Sequence, residues 1–146
     1  MKTNVIPDQI DINVDIRTLP GESSAEVQAH LDRALGELVN EVDIDIIMND
    51  PASISRMDNP MWDTIQKAVN QPFPNVRLSP QLIVGFTDAR VYRNLGAVAY
   101  GAGLFSPELK SSDFMSRFHG HDERIDVESL SLSTQFWLDV SNDFLT

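Results

Sequence analysis

Apolar and polar residues alternate strictly across QIDINVDIR, where Ile10, Ile12, Val14 and Ile16 are interleaved with Asp11, Asn13, Asp15 and Arg17. A period of two places the apolar set on one face of a strand and the polar set on the other. LPGESS follows, with Pro20 and Gly21 as turn residues. Ser23 and Glu26 then have the spacing of a capping box. Beyond them Val27, Leu31, Ala34, Leu35 and Leu38 recur at helical spacing. VDIDIIM, from Val42 to Met48, alternates again and predicts a second strand, completing a β-α-β half-unit.

NDPASISRMDNP, Asn49 to Pro60, has the composition of a linker. MWDTIQKAV predicts a short helix capped by Asn59, with Pro60 at its first position. VRLSPQLIVGFTDARVY predicts a strand region interrupted at Pro80 and Gly85, and GAVAYGAGLF is a second, Gly-rich apolar run. Leu130, Phe136, Trp137, Val140 and Phe144 trace an amphipathic terminal helix. No internal repeat interrupts this order.

The totals narrow the function classes. A chain of 146 residues makes one ordinary domain or two small ones. Its formal net charge of −11 opposes binding to a phosphate backbone. Most of that charge lies early: residues 1–50 carry a net −8 and residues 51–146 a net −3. With no cysteine, any metal must be held by His, Asp or Glu. No apolar run is long enough for a membrane helix, and MKTNVIPDQI lacks the apolar core of a signal peptide. The expectation is a cytoplasmic protein that binds neither nucleic acid nor membrane.

Three stretches carry chemistry. SRFHGHDERIDV holds His119 and His121 one residue apart, followed by Asp122, Glu123 and Arg124. Two histidines at this spacing in an extended segment share a face and suit a metal; the same run also reads as a solvated surface. His30, the remaining histidine, reads as surface. GFTDARVYR places Thr87, Asp88 and Arg90 at a strand end, where α/β folds keep their sites. There the alternative is an Asp–Arg pair fixing a turn. Asn4 and Arg17 bracket the first strand, and Arg17 is either a fork for a substrate carboxylate or a surface charge.

Taken in order, NVIPDQIDINVDIRTLPG, GFTDARVYRNLGAVAYG and FHGHDERIDVESL resemble the dinuclear-zinc family of aminoacylase, acetylornithine deacetylase, succinyl-diaminopimelate desuccinylase and glutamate carboxypeptidase. The resemblance covers nearly the whole chain. It implies an α/β fold: a partial ferredoxin-like lid, or dimerisation, half-domain over residues 1–50, a hinge over 51–59, and the carboxy-terminal part of a phosphorylase/hydrolase-like zinc exopeptidase catalytic domain over 60–146. It also implies that His119 is a zinc ligand, with Asn4 and Arg17 holding substrate and Thr87 and Asp88 beside the metal pair. The further zinc ligands and the catalytic Glu belong to an upstream portion of the enzyme. The implied activity is cleavage of amide bonds in N-acyl amino acids or peptides by a homo-oligomer, with this chain inactive alone. The competing expectation is a non-catalytic remnant that associates through its exposed half-sheet.

Overall fold

The computed structural model describes residue 4 and residues 6–146. Among them the regular structure is helical: α1 (Ser24–Leu35), α2 (Pro60–Asn70), α3 (Ala89–Asn94), α4 (Ser111–Met115) and α5 (Val127–Leu145), with a 3-10 turn at Gly36–Asn40. No strand forms among the described residues. This overturns the α/β expectation, and with it both the ferredoxin-like half-sheet and the partial α/β catalytic domain. The physical reason lies in what alternation encodes. It sorts residues onto two faces, but a strand persists only beside others, and two strands alone are marginal in water. Here the apolar set stays in solvent, with Ile12 78% exposed and Ile10, Val14 and Ile46 similarly open.

The chain divides into two compact units, one ending at Ser53 and the other spanning Ile54–Thr146. In the first, α1 starts at the capping box read from the sequence. The Ser23 hydroxyl accepts from the Glu26 N–H at 3.3 Å, and the Ser23 N–H donates to Glu26 Oε2 at 2.7 Å. The Ser23 N–H and then the Ser23 hydroxyl, which also donates to Glu26 Oε2 at 2.8 Å, hold the Glu26 carboxyl below its ordinary pKa. Gly36 ends the helix at φ +56, a left-handed value that costs glycine little. Asn49 Nδ2 donates to Ser24 Oγ at 2.8 Å, tying the end of the unit back to the helix start. None of the described residues in this unit is buried, so α1 rests on local contacts.

The second unit contains the core. The Asn59 side chain caps α2 by accepting from the Trp62 N–H at 3.2 Å, and Pro60 fills the first helical position as expected. Ile65, Ala68 and Val69 on one face of α2 meet Phe136 and Val140, one turn apart on α5. Tyr100, Ala102, Leu104, Leu78 and Met61 pack around them. Each large apolar side chain buried here stabilises by ~1.5–3 kcal/mol, so a core this small leaves little margin. Polar contacts extend the same seam: Thr64 Oγ1 donates to Asp143 Oδ2 at 2.8 Å, and Lys67 pairs with that carboxylate at 3.1 Å.

Local sequence misled in one further region. Residues 89–92, the end of the expected strand region, lie instead in α3. Val91 and Tyr92 suggested a strand, but the turn at Thr87 and Asp88 starts a helix instead, with the Val91 N–H donating to the Asp88 carbonyl at 3.0 Å. Arg93 then donates to the Ala99 carbonyl through Nη2 at 2.6 Å, closing the chain behind α3.

Candidate functional site

Residues 116–126 join α4 to α5 and carry the His-Gly-His segment. The loop is anchored at its far end by Asp126, the cap of α5. Asp126 Oδ1 accepts from the Ser129 N–H at 2.8 Å, while Oδ2 accepts from the Ser129 hydroxyl at 2.8 Å and from Arg117 Nη1 at 2.6 Å. The Ser129 N–H, its hydroxyl and the Arg117 guanidinium, in that order of effect, lower the Asp126 carboxyl from 3.8 to about 2. Ser129 is fully buried, and its hydroxyl also accepts from the Ser106 N–H at 2.9 Å. The Ser106 hydroxyl in turn donates to the Glu128 carboxylate.

Near the other end, the Arg117 side chain is only 18% exposed, and its Nε is buried without a hydrogen-bond partner among the described residues. Phe118, the next residue, meets the Phe114 ring edge-on at 4.7 Å, and Phe114 meets Phe105 in the same way at 4.7 Å. His119 is thus preceded by a half-buried cation and an aromatic ladder. Its own backbone turns left-handed, at φ +57, and Asp122 does the same at φ +61. Such values are uncommon outside glycine, and His and Asp are among the residues that tolerate them best. The Glu123 carboxylate closes the turn by accepting from the His119 N–H, and Arg124 Nη1 donates to the Asp122 carbonyl at 2.9 Å. His119 and His121 are both exposed.

The other residues singled out from sequence lie elsewhere. Asn4 sits in an exposed turn of the first unit. Arg17, in the same unit, directs Nε and Nη2 onto Asp15 Oδ2 at 3.0 and 2.8 Å and lines a cleft of about 370 Å³ with His30 and Arg33. Thr87 and Asp88 belong to the second unit. They precede α3 and do not end a strand; the Asp88 side chain makes no capping hydrogen bond, and both residues are exposed. Arg90 stacks over the Phe86 ring at 4.0 Å.

Among the described residues no three His, Asp or Glu side chains come close enough to hold a metal ion. Around His119 the ring is free to ligate, whereas the Glu123 carboxylate is occupied by the loop's own backbone. By itself the loop offers one imidazole that could ligate a metal and not a closed tetrahedral set. Sequence reading missed Arg117, Ser106 and Ser129. The available signal was Asp126 three residues before Ser129, the spacing of a helix cap and its third helical residue.

Residues 3–143 match the sequence profile described as peptidase family M20/M25/M40. The chain is 28% identical over 138 residues to the probable carboxypeptidase S-like 2 of Dictyostelium discoideum, covering 93% of this chain and 26% of that protein. It is 30% identical over 141 residues to the N-fatty-acyl-amino acid synthase/hydrolase of Xenopus tropicalis, covering 94% and 26%. The human protein of that description is 27% identical over 140 residues, covering 93% and 27%. The chain therefore spans about a quarter of the length of these relatives. No solved structure matches it.

Proposed function

Because the chain belongs to peptidase family M20/M25/M40, we propose that it supplies His119 to the metal centre of a hydrolase cleaving amide bonds of N-acyl amino acids or peptides. The observation that carries this reading is the His119 loop itself, a solvent-facing imidazole on a left-handed turn inside the matched span. The metal that best suits such a ligand in a chain without cysteine is zinc, which when bound polarises the scissile carbonyl as a Lewis acid. His121 remains the neighbour, and the Glu123 carboxylate fixes the turn. The remaining metal ligands and the general base come from polypeptide outside these residues, so this chain alone is inactive.

Substrate contacts follow from chemistry. Arg17 offers a planar fork that matches a carboxylate, which suits the free carboxylate of an N-acyl amino acid. Its partner Asp15 is exposed, and a substrate carboxylate competes with it for the guanidinium. Asn4 contributes an amide donor to the carbonyl side of the same substrate; in the second unit Thr87 and Asp88 offer a hydroxyl and a carboxylate for polar contact with substrate. The acyl-amino-acid relatives support this substrate class.

Two measurements test the proposal. Cobalt(II) titrated alone into the labelled chain is expected to broaden the His119 ring resonances ahead of those of His30, and His119→Ala to remove the effect. Broadening at His30 first would move the ligand elsewhere. Hydrolysis of N-acyl amino acids by the chain with zinc is expected to stay at the His119→Ala background. Turnover that His119→Ala abolishes would overturn the shared site, because this chain would then complete it alone.

A further inference from the structure

We propose that Arg117 is a positioning residue: its ion pair with Asp126 locks the His119 turn in its left-handed form before any metal arrives. The inference rests on the reading of His119 as a ligand and goes beyond it to how the imidazole is presented.

The Arg117 guanidinium reaches across the loop to the cap of α5, at 2.6 Å, so the residues flanking His119 are tied to a helix by a buried-side contact. Arg117 sits two positions before His119 and Asp126 seven after it, and their pairing closes the whole segment into a ring. Phe118, the residue after Arg117, is held by its ring contact with Phe114. With both ends fixed, the chain must reverse within His119–Asp122, and the two left-handed residues at its ends accomplish this. Within the turn the Glu123 carboxylate accepts from the His119 N–H and Arg124 donates to the Asp122 carbonyl, yet a left-handed His and Asp each cost free energy, and such values persist where surroundings over-determine them. The Arg117–Asp126 pair adds the constraint from outside the turn. The same Asp126 is held rigidly by Ser129, which is fully buried. The strain is thereby referred to the helix and the core beneath it. A ligand held this way loses no loop entropy when metal binds, and groups that orient metal ligands typically change affinity by ~10–100-fold when removed.

The test uses the full chain without metal, labelled for magnetic resonance. In the wild type His119 is expected to show the strong intraresidue amide-to-Hα cross-peak of a left-handed residue. Arg117→Met keeps the buried stem and deletes the charge; that cross-peak is then lost while the α2 and α5 amides keep their shifts, and Arg117→Lys restores it. Asp126→Asn keeps the helix cap, since Asn caps as well as Asp, and is expected to weaken the same cross-peak. It decides the matter if Arg117→Met fails to fold. Retention of the cross-peak in both Arg117→Met and Asp126→Asn overturns the proposal.

Cobalt(II) added afterwards separates the two ideas. Affinity at His119 is expected to fall by ~10-fold or more in Arg117→Met. Cobalt that ignores His119 in the wild type, with the cross-peak still lost in Arg117→Met, leaves the clamp standing and removes the ligand. Cobalt that binds His119 equally in both, with the cross-peak retained, does the reverse.

Discussion

Deleting one hydroxyl group tests whether the base of the His119 loop is organised as described. In Ser129→Ala the buried Ser106 N–H, which donates to the Ser129 hydroxyl at 2.9 Å, loses its acceptor. Ser106 is itself 7% exposed, so water does not readily replace the partner. Leaving a buried donor unpaired costs ~1–3 kcal/mol. Alanine returns at most ~0.5 kcal/mol through its higher helix propensity, and the cap from Asp126 to the Ser129 N–H survives. The expected net loss is about 1–2 kcal/mol, a large share of what a small core supplies. Urea unfolding followed by the fluorescence of Trp62 on α2 and Trp137 on α5 reads this unit directly. With slopes of ~1–3 kcal/mol per molar for small proteins, the midpoint falls by roughly 0.5–1.5 M. Ser131→Ala, exposed on the same helix, is the control and is expected to change stability by less than ~0.5 kcal/mol. Equal midpoints for the two variants would refute the claim that the Ser106–Ser129 bond anchors the loop.

Further outcomes follow from the same geometry. Phe136→Ala removes the most buried large side chain and is expected to cost ~3–5 kcal/mol, enough to unfold α2 and α5 together in circular dichroism. Asp126 has a folded pKa of about 2 against an ordinary 3.8, so its contribution is fully present above pH 3.8 and is lost as pH falls towards 2. Acid titration of the α5 helical signal therefore shows a loss in that window, shallower in Ser129→Ala, where one of the lowering hydrogen bonds is gone. Asp122→Gly relieves a left-handed residue and is expected to raise stability by ~0.5–1 kcal/mol, read as a higher midpoint. In hydrogen exchange, α1 amides are expected to exchange close to the unstructured rate while α2 and α5 amides are protected, because α1 buries nothing.

Helix starts were the most legible part of this sequence. Ser23 with Glu26, and Asn59 with Pro60, specify their own caps through atoms no more than three residues apart, so local reading suffices. The apolar face of α5 was legible only in part: Phe136 and Val140 enter the core, while Leu130, Trp137 and Phe144 stay exposed. Alternation at Ile10–Ile16 was legible as a pattern and misleading as structure, because the neighbours a strand needs lie outside the segment. The loop that carries His119 was found by its histidines. Its supports were not: Ser106 meets Ser129 across 23 positions, and Arg117 meets Asp126 across nine. Such pairings belong to the tertiary fold and leave no periodic trace. Arg17 and Thr87 were conspicuous by residue type, which tells of chemistry available and not of position.

The open apolar row of the first unit has a practical side. Ile10, Ile12, Val14 and Ile16 face solvent with Asp11 and Asp15 set between them, and the carboxylates act as gatekeepers against strand-to-strand sticking. Their protection is colloidal and depends on charge. It fades as acid brings the chain towards its isoelectric point near 4.4, and salt shortens its reach. Purification and storage of this protein therefore belong at neutral pH and modest ionic strength, where repulsion between molecules keeps the isoleucines apart.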